Sequence, residues 1–186
     1  MVVSMRQSTM VGDQEQRTDV ALTASPGCAS IGTMTDNTTP DAAAADKADN
    51  PNKARVEEFW ATLYSRDWDG IASFFTEESE YTDVPSPADD IARGPAQVVA
   101  RLRLGLEKIS SYEHELRLMV ADGGTVVTEH AETWHWHTGE QVTLPFVSVQ
   151  ELSGGSIIRW WDYWDLSTLM NAAPAWWIEH IASGYL

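Results

Sequence analysis

Apolar side chains recur at helical spacing in the first half of the chain. The first set falls at positions i, i+3, i+4 and i+7, on one face of a helix that begins near Pro51: Val56, Phe59, Trp60 and Leu63. A short second helix starts at Asp67, and Gly94 opens a third, in which Arg101 is expected to face solvent. The pattern therefore predicts three helices in this half of the chain.

The spacing of apolar residues changes from helical to alternating at Ser111. Turn signals at Asp122–Gly124, Thr138–Glu140 and Ser153–Gly155 divide the following segment into four strands. One short strand, over 79–84, precedes the third helix. Helices followed by a strand meander are typical of α+β folds. We predict a curved antiparallel sheet that wraps around the N-terminal helices and encloses an apolar pocket, in the order ααβαββββ.

Alternation within the strands places ionisable side chains among aromatic rings. On the strand over 125–137, one face carries Thr128, His130, Glu132, Trp134 and Trp136. On the strand over 156–166, one face carries Ile158, Trp160, Asp162 and Trp164, and the first strand presents Tyr81 and Asp83 together. Large rings need a core or an apolar cavity, so we take these faces as inward.

The expected result is an apolar hollow in which His130, Glu132 and Asp162 meet. Its predicted aromatic lining is Trp134, Trp136, Trp160, Trp164 and Phe146. Desolvation raises carboxyl pKa values and a neighbouring imidazole separates them, which is what a general acid and a general base require. The structural alternative is that Glu132 and His130 face water at a strand end and that Asp162 caps the next helix.

Composition narrows the possible partners and cofactors. The net charge is −16 and no basic stripe is visible, which argues against nucleic acid and anionic membranes as partners. Phosphate-binding glycine loops and nucleophile elbows are absent from the sequence, and His135 with His137 lacks an evident third ligand. We therefore expect neither a cofactor nor a metal. Without an apolar run of membrane-spanning or signal-peptide type, the protein is expected to be cytoplasmic.

Residues 1–50 differ from the remainder in composition. They contain no aromatic residue and are rich in Ser, Thr, Asp, Ala and Gly. Such a segment buries too little apolar surface to offset the entropy of ordering, so we predict a disordered tail. Met34 begins a stretch that resembles an ordinary protein start, and we hypothesise that the reading frame is over-extended upstream of it. The predicted domain comprises residues 51–186.

Two segments, "FWATLYSRDWDGIASFFTEESEYTDV" and "RWWDYWDL", resemble the nuclear-transport-factor-like cone fold (SnoaL-like superfamily), and within it the limonene-1,2-epoxide hydrolase family. The resemblance covers about residues 53–170. It implies that Asp162 is the base that activates water and that Glu132 takes the position of the acid. His130 takes the position of the family's arginine, and Tyr81 and Asp83 flank the water. Asp162 and Tyr81 match that family's pattern fully, whereas His130, Glu132 and Asp83 replace arginine, aspartate and a neutral amide.

Three functions follow as hypotheses. The first is a cofactor-independent epoxide hydrolase that adds water to a small apolar molecule in one step. The second is a SnoaL-like cyclase or ketosteroid-isomerase-like enzyme that moves a proton beside a carbonyl. The third is a non-catalytic module that binds a hydrophobic ligand, which a pocket filled by its own tryptophans would favour. A homodimer is expected, with outward Trp161 and Tyr163 at the interface.

Overall fold

A computed structural model describes residues 50–184, which form helices and one sheet. The helices are α1 Pro51–Tyr64, α2 Trp68–Ala72, α3 Gly94–Leu106, α4 Leu166–Ala172 and α5 Ala175–Ile181. The strands are β1 Phe75–Asp83, β2 Ile91–Arg93, β3 Ser111–Asp122, β4 Thr125–His135, β5 Gln141–Ser153 and β6 Ser156–Trp164. The tail predicted over residues 1–50, including the suggested start at Met34, lies outside the described residues except for Asn50.

The sheet has six strands in the order β2-β1-β6-β5-β4-β3, so the α+β class is confirmed. The four strands from β3 to β6 form the predicted antiparallel meander. The sheet as a whole is mixed, because β1 pairs in parallel with β6. The three-residue strand β2, which pairs with β1, is not among the strands that the sequence pattern predicts. This arrangement brings the first and last strands side by side.

Helix α1 begins and packs as its sequence predicts. The side chain of Asn50 accepts a hydrogen bond from the backbone N–H of Asn52, and Pro51 occupies the first turn. The four predicted apolar residues are the buried residues of this helix. Together with residues of α2, β1 and β6 they form one hydrophobic cluster, while a second cluster joins the end of β4 to α4 and α5.

Two bulges change which side chains face the core. In β6 the pairing shifts around Ile158, so Ile157 is fully buried and Ile158 is not, contrary to the predicted alternation. In β3 the pairing shifts at Arg117, and beyond it Leu118 is 52% exposed. An extra residue reverses the phase of a strand, and period-two alternation alone contains no signal for it.

Among residues 50–184, no helix combines the length and apolar character needed to cross a membrane.

Candidate active site

An apolar cavity of about 110 Å³ lies between α1, α3 and the inner face of the sheet. Its walls are aromatic and aliphatic, and they include three carboxyl groups, one phenol and one guanidinium: Asp83, Glu132, Asp162, Tyr81 and Arg101. The carboxyls come from three different strands, β1, β4 and β6. Four of the five predicted catalytic residues therefore line one cavity, and His130 does not.

Asp162 is fixed by three hydrogen-bond donors. The Tyr81 hydroxyl donates to Oδ2 over 3.0 Å, and the indole Nε1 of Trp160 donates to Oδ1 over 2.6 Å. The Ser148 hydroxyl also donates to Oδ1. With every donor supplied by a neighbouring strand or its own, the carboxyl is held in a single orientation at the cavity wall.

Asp83 is the register partner of Asp162 on the adjacent parallel strand. It accepts hydrogen bonds from Trp164 Nε1 at 2.6 Å and from Arg101 Nε at 3.3 Å. Arg101 is only 8% exposed, and its guanidinium also binds the carboxylate of Asp90 and the hydroxyl of Ser86. The expectation that Arg101 faces solvent is therefore wrong, because α3 presents it to the carboxyls of β1 and of the loop after β1.

Glu132 has its own pair of donors. The Tyr64 hydroxyl, from the last turn of α1, donates to Oε1, and Trp134 Nε1 donates to Oε2 over 2.6 Å. Tyr64 and Trp134 are aromatic, so they hydrogen-bond the carboxyl without supplying a positive charge. A buried carboxyl without a cation beside it is stabilised in its neutral, protonated form.

Burial raises the pKa of all three carboxyls above the ordinary range. For Asp162 burial is the largest cause and the negative charge of Asp83 the next, against which its three donors act. Burial also raises the pKa of Asp83, while its bond from Trp164 and the charge of Arg101 lower it. For Glu132, burial again outweighs the two hydrogen bonds. Since Asp83 and Asp162 influence each other, they titrate as a coupled pair.

His130 does not form the predicted bridge between Glu132 and Asp162. Its Nδ1 lies 2.6 Å from Nε2 of His114, and its ring is stacked against Phe146 at 4.7 Å between centroids. Within residues 50–184 its Nε2 has no hydrogen-bond partner. Burial lowers the pKa of His130 to about 3 and that of His114 to about 4, so neither imidazole carries a charge at neutral pH. His130 is therefore not a cation between the carboxyls.

The aromatic lining agrees with the sequence except at one position. Trp134, Trp160, Trp164 and Phe146 line the cavity. Trp136 does not, because β4 ends at His135 and the indole of Trp136 packs against Trp177 at 5.6 Å between centroids. The tryptophans line the cavity without filling it. Among the described residues, no group of three or more His, Cys, Asp or Glu side chains could hold a metal ion.

Sequence reasoning missed four residues that shape this site: Tyr64, Arg101, His114 and Ser148. Three of them offered a signal. Helical spacing places Tyr64 next to the inward Trp60, and alternation places Ser148 two residues from Phe146 and His114 two residues from Tyr112. Arg101 offered none, since a charged helix position is usually solvated.

Comparisons with known proteins agree with this architecture. A family model for the SnoaL-like domain matches residues 56–160. A limonene-epoxide-hydrolase-like epoxide hydrolase of M. tuberculosis is 23% identical, with a TM-score of 0.55 over 64% of this chain and 86% of that one. A Shewanella putrefaciens protein described as a SnoaL-like polyketide cyclase is 15% identical, with a TM-score of 0.60 over 67% and 96%.

An NTF2-like protein of Burkholderia pseudomallei is 19% identical, with a TM-score of 0.60 over 68% of this chain and all of that one. At these identities the likeness shows a shared fold but gives no information on activity. The family model, by contrast, matches more than half of the sequence, including α1 from Val56 onward, β1 and the first half of β6. The chain belongs to the family of SnoaL-like domains.

Proposed function

We propose that the protein is a cofactor-independent hydrolase that adds water to a small apolar epoxide by general acid–base catalysis. The observation that carries the proposal is one apolar cavity lined by three carboxyls with raised pKa values. Carboxyls whose pKa values are moved toward neutral pH can exchange protons with a reactant at that pH.

The proposed roles follow the surroundings of each carboxyl. Asp162, whose three hydrogen-bond donors favour its carboxylate form and oppose the burial that raises its pKa, removes a proton from water. The water oxygen attacks an epoxide carbon, the carbon–oxygen bond of the ring breaks, and protonated Glu132 delivers a proton to the departing oxygen. The product is a vicinal diol, and a proton passing from Asp162 to Glu132 restores both groups. Tyr81 and Asp83 lie beside Asp162 and position the water.

The resemblance to the epoxide hydrolase of M. tuberculosis supports this choice of reaction. So does the apolar wall of the cavity, which favours an apolar substrate. Because the tryptophans leave the cavity open instead of filling it, the site also suits catalysis better than a purely structural core.

The first test compares single carboxyl variants on small epoxides. Asp162→Asn and Glu132→Gln each remove one proton-transfer group while keeping side-chain size. We expect each to lower kcat/KM by at least about 10²-fold, the usual contribution of a positioned acid or base. Glu129→Gln, on the opposite face of β4, is the matched control and keeps full activity. If Asp162→Asn forms diol as fast as the unmodified protein, the proposal is wrong.

A second function is favoured by one observation. In the described residues no cation contacts both Glu132 and Asp162, whereas the phenol of Tyr81 donates directly to Asp162. A carboxylate beside a neutral phenol suits abstraction of a proton next to a carbonyl, with the phenol stabilising the enolate. Deuterium exchange into a small apolar ketone, without diol formation from epoxides, would favour this proton-transfer enzyme over the hydrolase.

A further inference from the structure

The inner cavity adjoins a larger outer groove of about 430 Å³. The groove lies between α3, the loop after β1 and the two C-terminal helices. Five residues line both spaces and form the boundary between them: Asp83, Arg101, Gly105, Trp134 and Trp164. The site therefore extends from the carboxyls outward past this boundary.

The outer groove is largely apolar. Its apolar walls come from α3, α4 and α5: Leu104, Leu166, Leu169, Trp177 and Ile181. Leu166 is 40% exposed. Ser86, Asp90 and Arg101 make one polar edge. A long apolar ligand in this groove would contact apolar side chains of three helices.

Gly105 occupies the boundary and has no local structural reason to be glycine. It lies inside α3, where glycine is less favourable than alanine, and its φ is not in the left-handed region. A Cβ built at Gly105 would meet no atom within 4 Å, so no close packing requires its absence. Its carbonyl accepts a hydrogen bond from Trp177 Nε1 at 3.2 Å, which any residue could provide. What glycine supplies here is open space.

We propose that Gly105 keeps open a passage between the two spaces, and that the substrate is an elongated apolar molecule with one reactive end. The reactive end lies among Asp83, Glu132 and Asp162, and the apolar tail passes Gly105 into the outer groove. This inference rests on the proposed function for the identity of the reactive group, but not for the passage itself.

The sizes of the two spaces support an elongated ligand. A cavity of about 150 Å³ is known to hold a benzene molecule. The inner cavity, at about 110 Å³, is smaller than that and has room for only a few carbon atoms. A ligand larger than benzene would therefore have to extend through the boundary into the larger groove.

The test measures binding of unreactive straight-chain alcohols, from 1-butanol to 1-octanol, by calorimetry. Each buried methylene contributes about 0.8 kcal/mol, or about a fourfold gain in affinity. For the unmodified protein we expect affinity to rise by about this factor with each added carbon. Gly105→Leu fills the passage, and we expect its affinity to stop rising beyond 1-butanol. Ala96→Leu, on the exposed side of the same helix, is the matched control and keeps the full rise.

Two results would contradict the proposed passage. One is an affinity of the unmodified protein for the alcohols that does not increase with chain length. The other is an increase with chain length in Gly105→Leu that equals that of the unmodified protein. A melting temperature for each variant shows that the fold is intact. If Gly105→Leu abolishes the increase in affinity with chain length but the unmodified protein hydrolyses no epoxide, the passage is supported and only the proposed reaction is rejected.

Discussion

At the scale of single residues, the site places carboxyls where burial disfavours their charge. Asp162 and Asp83 are register partners on neighbouring strands, and of this pair it is Asp83 that forms an ion pair with the guanidinium of Arg101. Folding therefore holds Asp162 in surroundings that raise its pKa, as an acid–base group needs, at a cost in stability. The conflict between stability and chemistry can be measured directly.

Asp162→Asn is expected to make the protein more stable at neutral pH. A native pKa above the unfolded value means that the native state binds more protons, so stability falls as pH rises from about 4 toward the native pKa. The variant lacks this loss, and its amide oxygen can still accept from Ser148 and Trp160. We expect a gain of about 1–3 kcal/mol at pH 7, shrinking toward pH 4, in urea titrations. A difference in stability between the variant and the unmodified protein that is the same at pH 4 and pH 7 would contradict the raised pKa.

Arg101→Met should destabilise the fold. It leaves Asp83 and Asp90 without their shared cation, and Arg101 itself is buried. Breaking a buried ion pair costs about 3–5 kcal/mol, and the partial exposure of Asp90 lowers the expectation to about 2–3 kcal/mol at pH 7. The loss should diminish at acidic pH, where Asp83, whose pKa burial raises, becomes protonated. Arg103→Met, on the exposed side of α3, is the control and should change stability by less than about 0.5 kcal/mol. A loss of the same size at pH 3 would show that packing, and not charge, explains the effect.

At the scale of elements, the sequence predicted the helices and strands well. It predicted less well which side chains of each strand point toward the core. Helical spacing identified α1 and its four buried residues, and alternation identified the inward face of β4 from Thr128 to Trp134. Alternation failed at the bulges near Arg117 and Ile158, which insert one residue without a compositional signal.

The candidate site was predictable to the extent that local periodicity determines it. Glu132, Asp162 and Tyr81 were placed on inward faces because alternation depends only on neighbouring residues. The contacts of Arg101 and His130 depend on how α3 and β3 pack against other strands, which no local pattern contains. His130 is inward as predicted, yet a second imidazole, from His114, occupies the position where a carboxyl was expected.

Gly105→Ala should stabilise α3. Alanine in a helix interior is favoured over glycine by about 0.5–1 kcal/mol, and a Cβ at this position meets no neighbour within 4 Å. Thermal melts should therefore show a higher melting temperature for the variant. Gly70→Ala is expected to have the opposite effect and lower the melting temperature, because a Cβ there would lie 2.4 Å from Oδ2 of Asp67, the residue that caps α2. A lower melting temperature for Gly105→Ala would mean that the space beside Gly105 is not open.

At the scale of the whole molecule, the outer face of the sheet carries an apolar patch. Register pairing aligns Val120, Val127, Val149 and Trp161 in one row across four strands. In the next row, Leu118, Val147 and Tyr163 are joined by one charged residue, Glu129 of β4. Leu118 and Tyr163 are among the most exposed large apolar residues described. Contiguous apolar surface of this kind marks interaction sites, so the expectation of a homodimer remains a prediction for this face.

Light scattering after gel filtration should give the mass of a dimer for the unmodified protein. Val147→Lys introduces a charge at the centre of the apolar rows and should yield monomers. Leu166→Lys, an exposed apolar position outside the sheet, should leave the dimer intact. A monomer for the unmodified protein at about 50 μM would contradict a stable interface.

The central claim, direct addition of water by Asp162 and Glu132, is tested by one turnover of a small epoxide in ¹⁸O-labelled water. With enzyme in excess over substrate, the account predicts a diol that contains one solvent ¹⁸O atom from the first turnover, and no diol from Asp162→Asn. A first-turnover diol that contains unlabelled oxygen from a carboxyl of the enzyme, or a diol formed at an equal rate by Asp162→Asn, would contradict it.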